Sequence, residues 1–140
     1  MQYFEETVQL DEAIDQLITV IQQSDCMQRY CQAKQAMAAN EEVQCKKKKF
    51  LEAKAAFERI SSYGPYAPDY QERKKAAYRA KRQLDLTAEV AHFRQCETEL
   101  QAMLDEVAVQ LAGTVSDKIK VEKGNPFFTT NKRCGGHCHE

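Results

Sequence analysis

The sequence contains no tryptophan, and among its 140 residues only three are proline and five glycine. No proline or glycine falls within 1–63 or within 69–112. Two windows of that length without a helix breaker exclude a fold of many short strands and tight turns. Long apolar runs are missing as well. None approaches the roughly 18 residues that cross a bilayer, so no membrane insertion is expected. The opening Met1-Gln2-Tyr3-Phe4-Glu5-Glu6 is acidic and leads into no apolar stretch, unlike a secretory signal. A soluble, cytoplasmic chain is the expectation. There is also no phosphate-cradling glycine loop, no Gly-x-Ser-x-Gly and no His-Glu-x-x-His, which argues against an enzyme.

What fills the two windows is Ala, Gln, Lys, Glu, Leu and Arg, the strong helix formers. Leu10, Ile14, Leu17, Ile18 and Ile21 recur on one helical stripe. Ser24-Asp25 then offers a cap for a second helix over roughly 25–39, with Gln28 at the Asp-x-x-Gln position. Met27, Tyr30, Ala33 and Met37 give that helix a weak apolar face. Asn40, followed by Glu41 and Glu42, starts a third helix. Its stripe is Val43, Phe50 and Phe57, with Ala53 and Ile60, and it ends at Ser61-Ser62-Tyr63-Gly64-Pro65 with a glycine cap. Pro68-Asp69-Tyr70-Gln71-Glu72 reads as an Asp-x-x-Glu capping box for a fourth. An unbroken helix from there to Leu111 would be a rod of about 65 Å, too long for so small a domain to surround. A break at Leu84-Asp85-Leu86-Thr87 is predicted, with Asp85 or Thr87 capping the restart. The last helix carries Val90, Phe93, Leu100, Met103, Leu104, Val107, Leu111 and Val115, the longest stripe in the chain.

The expected fold is all-α: a bundle of about five helices over 1–122 with a long C-terminal helix, followed by a flexible tail over 123–140. Part of the last stripe is expected to be buried against another subunit, in a homo-oligomer (dimer or tetramer) or a hetero-oligomer. Charge is segregated. Net charge is −6 over 1–45, +8 over 46–82, −5 over 83–122 and +2 in the tail. The basic third can face an acidic partner or RNA. Four consecutive lysines, 46–49, wrap around a helix, and most are read as solvated. Lys75, Arg79 and Arg82 share one helical face and are the candidate basic contact surface.

Six cysteines stand at 26, 31, 45, 96, 134 and 138. Cys26, Cys31 and Cys45 share no helical face and are read as packing residues. His92 and Cys96 lie four apart, a spacing compatible with a metal pair, but Phe93 and Leu100 mark Cys96 as core. The tail is different. In Cys134-Gly135-Gly136-His137-Cys138-His139 two thiolates are joined by glycines that let the backbone close round an ion or cluster. Structural zinc and four-iron clusters each take four protein ligands. The tail supplies two thiolates, with His137 and His139 too close to Cys138 to join it easily, so another chain is expected to complete the site. An inert tail is the alternative.

The run Tyr63-Gly-Pro-Tyr-Ala-Pro-Asp-Tyr70 combines with Arg82-Gln-Leu-Asp-Leu-Thr87, Leu100-Gln-Ala-Met-Leu-Asp-Glu-Val107, Gly124-Asn-Pro-Phe-Phe128 and the cysteine-bearing tail. In this order the segments resemble the YlbF/YmcA family, its YlbF-like members most, over nearly the whole chain. The resemblance implies a helical, self-associating, non-enzymatic regulatory subunit that joins YmcA-like and YaaT-like proteins in the cytoplasm. It further implies a link to ribonuclease Y and its mRNA processing, and through it to competence, sporulation and biofilm formation. It also implies an iron–sulfur cluster shared between chains, with Cys134 and Cys138 as this chain's ligands and zinc as the alternative. Two other readings stay open: a helical module that binds RNA directly through Lys75, Arg79 and Arg82, and a metal-free helical scaffold.

Overall fold

A computed structural model describes residues 2–124. Among them are five helices: α1 (Gln2–Gln23), α2 (Asp25–Ala39), α3 (Glu41–Ser61), α4 (Tyr70–Asp85) and α5 (Ala88–Val115). No strand occurs among the described residues. All five expected helices form, and the predicted break at 84–87 is present. The expected tail, 123–140, lies almost entirely outside the described residues.

The joints are short because single residues cap both sides of them. Ser24 alone separates α1 from α2, and its hydroxyl accepts a hydrogen bond from the Met27 N–H at 3.2 Å. The expected Asp-x-x-Gln box does not form. Asp25 instead pairs with Arg29 at 2.8 Å, and the Gln28 amide turns back to the Gln23 carbonyl. With Ser24 extended and already at the N-cap position, Asp25 falls inside the helix, where it cannot cap. Asn40 alone separates α2 from α3. Its Oδ1 accepts from the Val43 N–H at 3.0 Å, as expected, while its Nδ2 donates to Glu89 Oε1 at 2.8 Å.

The α3–α4 loop is a chain of turns. Gly64 takes φ +82°, two residues past the α3 cap at Ser62, and the Ala67 and Tyr70 amides donate back to the Gly64 and Ala67 carbonyls. The expected capping box at Asp69 is absent. Asp69 sits at φ 61°, a left-handed conformation that aspartate tolerates better than most residues. This is not the extended geometry of an N-cap, so its side chain makes no cap bond and lies 3.9 Å from Arg73 instead.

At the α4–α5 joint neither proposed cap behaves as expected. The Thr87 carbonyl accepts from the Ala91 amide, but its hydroxyl donates back to the Gln83 carbonyl and accepts from Lys46 Nζ at 3.2 Å. Asp85 is held by Arg94 at 2.9 Å. Thr87 is buried, so the Lys46 bond keeps its oxygen satisfied and fastens the joint to α3.

The chain divides into two compact units at Glu97/Thr98. In the first, Ala33, Val43, Val90 and Cys96 are the buried apolar residues, and Tyr30 packs on Phe93 with ring centroids 5.4 Å apart. α3 and α4 form a helical hairpin in which Phe57 meets Tyr70 edge-on at 5.3 Å and Arg73 donates to the Ala56 carbonyl. In the second unit Leu100 is buried. The segment after α5 is tied back when the Gly124 N–H donates to both Asp105 oxygens at 3.1 and 3.2 Å. Gln101 Nε2 donates to the same carboxylate at 2.8 Å.

Candidate partner-binding surface

α1 has an apolar stripe that its own unit covers only in part. Leu10 is 60 % exposed and Ile14 and Ile18 are each 46 % exposed, while Leu17 and Ile21 are half-buried. Monomeric soluble proteins leave apolar side chains exposed singly, but a row along one helix face marks an interaction site. The helix also carries five acids, Glu5, Glu6, Asp11, Glu12 and Asp15, and no base.

On the α3–α4 hairpin, one face is a shallow groove of about 270 Å³ lined by Phe50, Phe57 and Tyr78 together with Lys54, Lys74, Lys81 and Glu58. Lys54 is paired with Glu58 at 3.6 Å. Tyr63 and Tyr66 protrude from the loop at the end of the hairpin. Exposed tyrosines of this kind are favoured anchors in protein interfaces because they bring large area at low entropic cost. A second pocket, about 390 Å³, lies where the α2–α3 and α4–α5 joints meet. Met37, Val43, Leu84 and Phe93 line it, with Lys47, Arg94 and Glu97 at its edge.

Lys75, Arg79 and Arg82 are all exposed on α4, and no ion pair involves them among the described residues. Cys134, His137, Cys138 and His139 lie outside the described residues. His92 Nε2 stands 3.8 Å from Cys96 Sγ, but Cys96 is only 2 % exposed, as a core thiol should be. Among the described residues no three His, Cys, Asp or Glu side chains gather to hold an ion. Packing does not account for all of Cys26, Cys31 and Cys45. Cys26 is half-buried with Arg29 at 3.5 Å, but Cys31 and Cys45 are exposed. The Asp105 clamp was not anticipated. Its carboxyl is held below the usual aspartate range, first by the Gly124 N–H, then by Gln101, with Lys123 adding a smaller attraction. The Asp-Glu pair 105–106 reads in sequence as a solvated helix face, and only the returning chain reveals its partner.

Residues 10–116 match the model of the family described as control of competence regulator ComK, YlbF/YmcA. The chain belongs to the YlbF/YmcA family. It is 37 % identical over 133 residues to the regulatory protein YlbF of Bacillus subtilis (strain 168), covering 95 % of this chain and 89 % of that protein. It is also similar to a chain in the crystal structure of Bacillus subtilis RicA in complex with RicF, with a TM-score of 0.73 and 34 % identity. That match covers 81 % of this chain and 98 % of the other. The all-helical, five-helix fold expected from sequence is the one observed among the described residues. No helix among the described residues is long and apolar enough to cross a membrane.

Proposed function

We propose that this YlbF/YmcA-family chain is a non-enzymatic regulatory subunit that works by assembling with other proteins. In this reading it joins YmcA-like and YaaT-like chains in the cytoplasm and adjusts ribonuclease Y-dependent mRNA processing, and with it competence, sporulation and biofilm formation. The observation that carries the reading is the half-exposed α1 stripe of Leu10, Ile14 and Ile18. The similar chain from a RicA–RicF complex supports it, since that fold is there found in contact with a partner. Light scattering of the purified chain, alone and mixed with a YmcA-like chain, tests it. Assembly predicts a defined heteromeric species. Two components that stay separate and monomeric at micromolar concentration would overturn the reading.

Cys134 and Cys138 are this chain's proposed contribution to a shared iron–sulfur or zinc centre, with His137 and His139 as secondary candidates. Two thiolates are half of a four-ligand set, and partner chains supply the rest. When bound, such a centre provides a link between subunits that responds to oxidation. After anaerobic co-expression with the partners, Cys134→Ser combined with Cys138→Ser should abolish iron content and visible absorbance. Unchanged iron would remove the ligand role.

One observation favours a second reading, direct RNA contact: Lys75, Arg79 and Arg82 stand exposed on one face of α4 without acidic partners. Phosphate contact predicts an affinity that falls steeply as salt rises. Filter binding across a salt series distinguishes it from a protein adaptor, which binds little RNA at physiological salt.

A further inference from the structure

Building on assembly as the mode of action, we propose that α1 of one copy docks in the α3–α4 groove of a second copy, and that the second copy returns the same contact. The two surfaces complement each other in charge and in shape. α1 presents apolar side chains edged by acids: Asp11 follows Leu10 and Asp15 follows Ile14, each about 100° further round the helix. The groove is lined by the aromatic rings of Phe50, Phe57 and Tyr78 and by three lysines against one acid, Glu58, which is paired with Lys54, so Lys74 and Lys81 leave it basic. Lys74 and Lys81 form no ion pair among the described residues, so their charges face an open groove. Phe50 to Phe57 is a seven-residue step along α3, about 10.5 Å, and the exposed Leu10 to Ile18 is an eight-residue step along α1, about 12 Å. The helix therefore offers an apolar ridge at least as long as the groove's aromatic wall.

The joints decide why the occupant comes from another copy. α1 connects to α2 through Ser24 alone and α2 to α3 through Asn40 alone, and both joints are closed by hydrogen-bonded caps. Such joints leave no slack for α1 to fold back onto the hairpin of its own chain. In the folded chain α1 leaves Leu10, Ile14 and Ile18 exposed and the groove remains open. A two-fold pair satisfies both surfaces of both copies and closes the assembly without leaving a sticky end.

Charge reversal tests the pairing in the full-length chain. One variant carries Asp11→Lys and Asp15→Lys, the other Lys74→Glu and Lys81→Glu. All four sites lie on helices and are not buried, so unchanged circular dichroism is expected for each variant. Each variant alone should self-associate about tenfold more weakly than the parent, or less well still. An equimolar mixture should recover association, because each variant then meets its opposite charge at both contacts. Parent-like association of either variant alone, or a mixture that stays monomeric, would overturn the proposal, as would a parent chain that is itself monomeric. If the variants instead keep self-association but lose binding to a YmcA-like chain, the groove belongs to a heterologous partner. That result sinks the second-copy proposal and leaves the assembly reading standing, whereas failure of the parent to bind any partner strikes the assembly reading itself.

Discussion

α1 and the α3–α4 hairpin are both amphipathic by pattern, yet they use their apolar faces differently. In the hairpin Phe57 meets Tyr70, Arg73 reaches the Ala56 carbonyl, and the connecting loop is a series of bonded turns. In α1 the row Leu10, Ile14 and Ile18 stays about half in contact with water. A hydrophobic stripe read from a sequence therefore says that a surface will be covered, and not by what. Where Phe57 meets Tyr70 the cover is the same chain. Along α1 it has to come from elsewhere.

The contrast is open to attack at several points. The largest effect is expected from Phe57→Ala, which removes a half-buried ring and its edge-on partner. It should cost about 2–4 kcal/mol in urea denaturation. A loss under about 1 kcal/mol would mean that the hairpin is no more cohesive than α1. Asn40→Ala should cost about 1–2 kcal/mol, since it removes the α3 cap and the bond to Glu89 together. Ile14→Ser with Ile18→Ser should change the stability of the dilute chain by less than about 1 kcal/mol. In the associated protein, by contrast, the rise of Tm with protein concentration should disappear, because only a folded state stabilised by association shows that dependence. If the concentration dependence survives, α1 is not the surface being covered.

The smallest effect concerns the Asp105 clamp. Its carboxyl titrates below the ordinary aspartate value because the charged form accepts the Gly124 and Gln101 hydrogen bonds. A group depressed in this way contributes its stabilisation above the unfolded-state pKa and loses it as pH falls through the lower folded value. The Gly124 amide resonance should therefore hold its bonded position down to mildly acidic pH and shift only below the usual aspartate range. In Asp105→Asn that acid transition should vanish.

Much of the fold was readable because helix boundaries here depend on local chemistry. Asn40 before two glutamates, the Gly64-Pro65 loop and the break at 84–87 each act within a few residues, and each appeared where expected. What failed also failed locally. Asp69 reads as a cap from its neighbours alone, but its left-handed backbone, which composition does not reveal, turns it to Arg73. Ser24 displaced Asp25 by standing one residue earlier. The candidate surface was only half readable. The α1 stripe and the basic α4 face are visible as periodicity, whereas the α3–α4 groove exists only once two helices lie side by side. Asp105 and Gly124 stand nineteen residues apart, and no local pattern joins them. Cys31 and Cys45 resisted for the opposite reason: a small apolar side chain predicts burial on average, and nothing in a single sequence says which thiols stay exposed.

Asn40 carries a consequence that reaches past its joint. Serine, threonine and aspartate all serve at the start of a helix, so by that criterion four residue types fit the position. Its nitrogen, however, grips a carboxylate on α5 while its oxygen holds α3. Aspartate would keep the second grip and turn the first into repulsion, and the hydroxyl residues are too short to be expected to reach both ways. The side-chain amide here is a two-faced rivet, and the choice among four interchangeable caps narrows to one.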